Sequence, residues 1–222
     1  ELMSCQAVGM FFKGNPMAFY GGSILSFAAA FGLTRAARMI LMHDMKHSSA
    51  NRLTGYEFAC TSTGFLSLHC AVANGRVAMY NFLTGATGEG DETGAINGAG
   101  RLPIEWCASG SQKGGRGSGE VWSRLSPLQL AAKLGDTRMA KHIMRKRLKP
   151  NWTWGPLTSL RIELDEIDSA GKEGNDIMEI IADFQAGQHT QDMLLDTFMQ
   201  GFIFTLVQQK WNRLSRYMFY TL

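Results

Sequence analysis

Three ten-residue stretches decide the fold of this chain, because they share one pattern. They are SILSFAAAFG at residues 23–32, LSLHCAVANG at residues 66–75 and SPLQLAAKLG at residues 126–135. In each stretch an alanine is followed four residues later by a glycine, which gives the pairs Ala28 and Gly32, Ala71 and Gly75, and Ala131 and Gly135. A second run of bulky residues follows each glycine at matching offsets. Self-similarity of this kind predicts a repeated structural unit.

The pattern is that of the first helix of an ankyrin repeat, whose signature is T-P-L-H-x-A. Ser126 and Pro127 are typical of a helix start. The small alanine lets paired helices approach, and the glycine ends the helix in a left-handed conformation that other residues adopt at a cost. The signature positions are Leu25, Ala28, Gly32, Leu68, His69, Ala71, Gly75, Pro127, Leu128, Ala131 and Gly135. We predict a mainly α fold, an ankyrin-repeat α-solenoid of three degenerate repeats followed by a small β-strand plus helix linker region.

The repeats are spaced more widely than the usual 33 residues. Ala28 and Ala71 are 43 residues apart, and Ala71 and Ala131 are 60 apart. We therefore predict repeats with long insertions over residues 21–150, preceded by a lead-in or remnant of an earlier repeat at residues 1–20. Residues 85–120 are rich in Gly, Ser, Ala and Asn, which predicts a flexible loop or a mis-predicted coding segment.

The pattern changes after Pro150. Leu160, Ile162 and Leu164 alternate with charged residues, which predicts a half-buried strand within a hairpin at about residues 152–165. That strand pairs either with a second strand of this chain or with the edge of a neighbouring subunit. We predict helices at about residues 176–199, with Asn175 and Thr190 as caps, and a last helix at about residues 202–219.

Composition excludes several classes of function. The 222 residues carry a net charge of +3 without a basic stripe, which argues against nucleic acid binding. No apolar run is long enough to cross a bilayer, and no signal peptide is apparent, so we expect the given chain to be soluble and cytoplasmic if it ends at Leu222. The four cysteines form no CxxC pair and are expected to be free thiols in a reducing compartment. The abrupt ends suggest a piece of a longer protein.

The sequence gives no sign of catalysis. No nucleophile, histidine and carboxylate set stands out, so we predict that the chain is not an enzyme. Residues 110–119 lack the spacing of a phosphate loop. His69 is expected to be a helix-capping histidine, since it has no companions at metal-ligand spacing. We predict no cofactor and no metal.

Longer motifs carry a family resemblance. FYG at residues 19–21, MYN at 79–81, WTWGPLTS at 152–159, EIDS at 166–169 and KWNR at 210–213 occur in one order. This order resembles the cytosolic N-terminal part of vanilloid-type transient receptor potential channels, over about residues 19–219. That family has about six repeats, whereas we find three here. Residues 85–122 match nothing in that family, and no membrane domain is present.

The resemblance implies a function. The chain would be the ankyrin-repeat and linker portion of a cation channel, with calcium as a candidate ion, and would mediate subunit assembly and couple cytosolic signals to the pore. The partners would be other subunits of a homotetramer, a protein bound to the repeats, and the membrane, with this region on its cytoplasmic side. The alternative is a soluble ankyrin-repeat adaptor that binds a protein, and the sequence beyond Leu222 discriminates the two.

Three groups of residues are candidate sites. A linker and subunit interface comprises Trp152, Trp154, Gly155, Pro156 and Ile162, although the two tryptophans would also suit burial between linker and repeats. A pre-membrane helix presents Lys210, Trp211, Arg213 and Arg216, which suit a membrane interface or ordinary helix packing. The basic residues Arg145, Lys146, Arg147 and Lys149 complement a helix C-terminus or bind an anionic partner such as a phosphoinositide.

Overall fold

The computed structural model describes residues 5–7, 21–47, 53, 58–61, 63–85, 125–164, 166–168, 176–182, 192 and 201–220. Within these ranges the chain is mainly helical with a small two-stranded sheet, as the sequence predicts. The helices are α1 (Ile24–Phe31), α2 (Thr34–His47), α3 (Ser67–Ala73), α4 (Val77–Thr84), α5 (Pro127–Lys133), α6 (Thr137–Arg147), α7 (Ile177–Ala182) and α8 (Phe202–Tyr220). The strands are β1 (Lys149–Trp154) and β2 (Leu157–Arg161).

The alanine and glycine of each repeated stretch close the first helix of a pair in the same way. Gly32, Gly75 and Gly135 have φ values of 73°, 62° and 71°, which confirms the predicted left-handed conformation. The backbone N–H of the residue after each glycine donates to the carbonyl of the signature alanine at 2.9–3.0 Å. This helix-ending motif satisfies a carbonyl that has no partner inside the helix.

Side chains fix the other ends of these helices. The Ser23 hydroxyl accepts from the backbone N–H of Ser26 at the start of α1. Ser126 and Gln129 form a reciprocal capping box ahead of Pro127, which starts α5. Asp136 accepts from the N–H of Met139 at the start of α6. α3 and α4 begin without a side-chain cap, so local side chains define the starts of α1, α5 and α6.

The first helices pack side by side in one row. α1 contacts α3, α3 contacts α5, and α5 contacts α7. The signature side chains Leu25, Leu68, Leu128, Ala28, Ala71 and Ala131 are at most 3% exposed and lie in one continuous core. Arg76 reaches from the second pair to the first, where its Nε donates to the Ala30 carbonyl at 3.1 Å. The row continues into the linker through α7.

The prediction for His69 is wrong in one respect. Its side chain lies inside α3 with no exposed surface, and its Nε2 donates to the Leu125 carbonyl at 2.9 Å. The histidine therefore links α3 to the residues just before α5 and does not cap its own helix.

The hairpin differs from the prediction in its position and in its burial. It runs from Lys149 to Arg161, with a bulge between Pro150 and Trp152 and a turn at Gly155, where φ is 56°. Strand β2 ends at Arg161. Within the strand, Leu160 is 54% exposed. Beyond the strand, Ile162 and Leu164 pack against the core. The expected half-buried strand is therefore wrong, since its apolar positions are divided between strand and loop.

Several predictions fall outside the described residues. These are most of the lead-in at 1–20, most of the loop at 85–120, the caps Asn175 and Thr190, and most of the helical region at 176–199. Of the lead-in, residues 5–7 are described, and Gln6 bridges to Ser23. α8 begins at Phe202, as the sequence predicts. No helix among the described residues has both the length and the apolar character that crossing a membrane requires.

Candidate functional site

A short turn in the linker joins the third helix pair to the terminal helix. We call Glu166, Ile167 and Asp168 the linker turn. The Glu166 carboxylate accepts a hydrogen bond from the Ser126 hydroxyl at 2.5 Å and pairs with the Arg147 guanidinium at 2.6 Å. One oxygen of Glu166 therefore contacts both the start of α5 and the end of α6.

The Ser126 hydroxyl has two roles at this contact. It accepts from the Gln129 backbone N–H at 3.2 Å, which starts α5, and it donates its own proton to Glu166. The Glu166 side chain is 17% exposed and that of Arg147 is 26% exposed, so the pair is largely shielded from water. A hydrogen bond to a charged group that is shielded from water contributes more to stability than a hydrogen bond between two neutral groups.

The backbone of the linker turn supports α7. The carbonyls of Glu166 and Ile167 accept from the N–H groups of Ile177 and Met178 at 3.1 and 3.2 Å. These bonds satisfy backbone donors at the start of α7 that have no partner within the helix. Ile167 and Ile177 are 1% and 0% exposed, and both lie in the core. The turn is therefore anchored in the helix row.

The second carboxylate of the linker turn faces the terminal helix. Asp168 forms an ion pair with Lys210 of α8, and their side chains are 11% and 47% exposed. Ile203, in the first turn of α8, is 4% exposed and belongs to the core. α8 is thus attached at its beginning and at Lys210, whereas Trp211 and Leu214 beyond it are 67% and 59% exposed.

The hairpin presents an uncovered aromatic surface. Trp152 and Trp154 are 52% and 77% exposed, so the alternative in which they are buried between linker and repeats is wrong. Trp154 lies opposite Leu157 across the turn formed by Gly155 and Pro156, and Leu157 is 58% exposed. These three side chains of the hairpin are therefore largely open to solvent.

The basic residues near the end of α6 separate into two groups. Arg147 is engaged with Glu166, and Lys149 donates to Glu163 at 2.8 Å. That hydrogen bond and the charge of Lys149 lower the pKa of Glu163. Arg145 and Lys146 are exposed in the last helical turn, where cations complement the helix C-terminus. Of the terminal helix residues, Arg213 and Arg216 are also exposed.

The roles of Glu166 and Asp168 were not predicted from the sequence, in which both residues stand out only as members of the EIDS motif at 166–169. The sequence feature that could have indicated these roles is the isoleucine between the two carboxylates, since an isoleucine is typically buried and would bring both acidic groups close to the core. Their partners Ser126, Arg147 and Lys210 are 19 to 42 residues away along the chain, too far for spacing to show. No three His, Cys, Asp or Glu side chains come together as a metal site in the described ranges.

The comparisons with known proteins confirm the resemblance. The chain is similar to human transient receptor potential cation channel subfamily V member 5, with 28% identity over 220 residues and 96% of this chain. It is equally similar to human member 6 of the subfamily, again at 28% over 96% of this chain. Mouse member 5 is 30% identical over 176 residues, which is 77% of this chain.

The chain resembles vanilloid-type transient receptor potential cation channels over nearly all its length. No family model matches it. It spans only 20–25% of the length of these relatives.

Proposed function

We propose that this chain is the ankyrin-repeat and linker portion of a vanilloid-type cation channel, with calcium among its permeant ions. In this proposal it lies on the cytoplasmic side of the membrane, helps subunits assemble and couples cytosolic signals to the pore. Helix pairs that share one closing motif support the ankyrin assignment over residues 21–150. The relatives are named as cation channels, which supports a non-enzymatic role.

The linker turn is the observation that carries the coupling part of the proposal. Its two carboxylates hold different parts of the molecule, Glu166 the third helix pair and Asp168 the terminal helix. A displacement of the helix row would therefore reach α8 through a short buried segment that includes Ile167. Coupling of this kind needs a physical link between two parts that move, and these contacts supply one.

The exposed surfaces are the proposed contacts with partners. The aromatic hairpin, with Trp152 and Trp154, would meet a neighbouring subunit of a homotetramer. The exposed stretch of α8, with Trp211, Arg213 and Arg216, would lie at the membrane interface, where aromatic rings and long cations both find partners. The basic residues Arg145, Lys146, Arg147 and Lys149 are the candidates for an anionic partner.

A charge exchange in the full-length protein tests the coupling. Asp168→Lys and Lys210→Asp each place two like charges in contact, so each should change the cation current at equal surface expression. The double variant restores an ion pair with reversed polarity, and its current should return toward that of the wild type. Whole-cell recording with surface labelling measures both quantities.

An exposed ion pair of the same chain provides the control. Lys149 and Glu163 are 67% and 59% exposed, and both lie at the base of the hairpin. The exchange Lys149→Glu with Glu163→Lys should leave the current unchanged. A double variant at Asp168 and Lys210 that is no closer to the wild type than the single variants would contradict the coupling role. A full-length protein that carries no cation current would contradict the channel assignment itself.

A further inference from the structure

Two cysteines meet inside the core between the first and second helix pairs. Cys60 and Cys70 are each 1% exposed, and their sulfur atoms are 3.6 Å apart. Cys70 lies in α3, whereas Cys60 begins a turn in which its N–H donates to the Phe65 carbonyl at 2.8 Å and its carbonyl accepts from Gly64 at 2.7 Å. The backbone of this turn fixes the position of the Cys60 sulfur against α3.

Hydroxyl groups surround the two sulfur atoms. The Ser26 hydroxyl contacts those of Ser23 and Ser67 at 3.2 and 3.3 Å, and all three serines are at most 4% exposed. Buried polar groups cost free energy unless they are hydrogen-bonded, and these three hydroxyls satisfy one another while Ser23 also caps α1. Within this cluster the Ser26 hydroxyl also forms hydrogen bonds with Cys60 and Cys70.

The two thiols differ in their ease of ionisation. The hydrogen bond between the two sulfur atoms lowers the pKa of Cys60. Burial opposes this shift, and the hydroxyls of Ser26 and Thr63 add to it. The same bond and complete burial raise the pKa of Cys70 well above its usual value. Cys60 lies in a turn that can open locally, whereas Cys70 lies within α3, so we assign Cys60 as the sulfur that reacts first and Cys70 as the partner that resolves it.

We propose that Cys60 and Cys70 form a redox-responsive pair that a hydroperoxide converts into a disulfide within the folded core. The Cys60 sulfur attacks the peroxide, the O–O bond breaks, and a sulfenic acid forms while the leaving oxygen takes the Cys60 proton. The Cys70 sulfur then attacks the Cys60 sulfur, the S–O bond breaks, and the hydroxyl leaves as water with the Cys70 proton. The two thiols are oxidised and the peroxide is reduced to water or an alcohol.

This pair has no part in the proposed channel function, and the inference does not depend on that function. Because both sulfur atoms are buried, the peroxide reacts only when the turn at Cys60 opens locally, so oxidation is slow and limited by that opening. The new bond would tie the turn to α3 and raise the melting temperature, since it restricts the unfolded chain.

The test uses the whole 222-residue chain with Cys5→Ser and Cys107→Ser, so that only the pair remains. The folded protein is treated with hydrogen peroxide, quenched with catalase, unfolded and labelled with a maleimide. Intact mass should show two labelled thiols before treatment, none after it, and two again after reduction with dithiothreitol. Peptide mapping should find Cys60 joined to Cys70 within one chain, with the helical circular dichroism unchanged.

Single variants separate the two roles. With Cys70→Ala, the reaction should stop at a Cys60 sulfenic acid that dimedone traps, and with Cys60→Ala the Cys70 thiol should stay reduced. The primary thiol count needs neither variant, so a failure of either to fold leaves the test intact. Two thiols still labelled after peroxide, sulfinic acid without a crosslink, or a bond only between chains would each overturn the proposal.

Discussion

His69 shows how far one buried side chain can depart from its ordinary chemistry. Complete burial lowers its pKa from 6.5 to about 4, while the bond to the Leu125 carbonyl acts in the opposite direction. The folded state therefore holds a neutral imidazole at pH values where the unfolded chain already binds a proton. The contribution of His69 to the free energy of unfolding is therefore complete above pH 6.5. It decreases as the pH drops below that value and is constant again below about pH 4.

This pH dependence gives a prediction for His69→Gln. The amide nitrogen of glutamine can still donate to the Leu125 carbonyl, but it does not titrate. His69 should account for roughly 3 kcal/mol of the unfolding free energy that the wild type loses between pH 6.5 and 4, and the variant should lack that part of the loss. Urea denaturation at a series of pH values measures the two slopes.

A second histidine, His142, also contributes to the pH dependence in that experiment. Its pKa is also lowered, by burial and by the charges of Lys146 and Arg145, and it stays in the variant. A residual slope in His69→Gln is therefore expected. Equal slopes for wild type and variant would show that His69 is not held neutral.

Local sequence predicts the backbone conformation of single residues better than it predicts which side chains they contact. The left-handed Gly32, Gly75 and Gly135 followed from spacing, because the closing bond to the signature alanine spans only five residues. The contact between Cys60 and Cys70 did not follow, although ten residues separate them. It depends on a turn with no regular pattern, and no periodicity reports where such a turn places a side chain.

At the scale of elements, the hairpin shows what a periodic pattern leaves open. The alternation of Leu160, Ile162 and Leu164 identifies apolar positions but not the residue at which the strand ends. Because β2 ends at Arg161, the same three residues divide between an exposed strand and a loop packed on the core. Alternation predicted a strand correctly and its burial incorrectly.

Glu166 gives a stability prediction at this scale. Glu166→Ala removes the partner of the Ser126 hydroxyl and of the Arg147 guanidinium, and should lower the unfolding free energy by about 2 kcal/mol. Glu163→Ala breaks only an exposed pair with Lys149, which water screens, and should lower the unfolding free energy by clearly less than Glu166→Ala does. Urea denaturation of both variants gives the comparison. Equal losses would mean that the linker turn is not anchored as described.

Trp154 gives a prediction about assembly. The side chain is 77% exposed, so Trp154→Ala should change the stability of the isolated chain by less than about 0.5 kcal/mol. If the hairpin meets a neighbouring subunit, the same change should reduce the tetramer of the full-length protein, because exposed tryptophans often dominate interfaces. Native gels or mass photometry measure the tetramer fraction.

The control for Trp154 is another exposed apolar side chain. Met39 on α2 is 65% exposed and takes no part in the hairpin. Met39→Ala should leave the tetramer fraction unchanged. An intact tetramer with Trp154→Ala would refute the interface.

At the scale of the whole molecule, the row of first helices is the organising feature. Its repeated part was predictable, since three matching stretches must bury matching faces against one another. Its continuation into α7 was not, because α7 lacks the repeat signature and is positioned by the linker turn instead. The bond from Ser126 to Glu166 spans 40 residues and depends on the completed fold.

The full-length transcript across both ends of this coding region tests the channel assignment most directly. If the chain is part of a channel, the transcript should encode further Ala-x-x-x-Gly repeats upstream and about six apolar segments of roughly 20 residues downstream, each long enough to cross a bilayer. A message that ends after Leu222, or that continues only with polar sequence, would contradict the channel assignment and leave an ankyrin-repeat adaptor in its place.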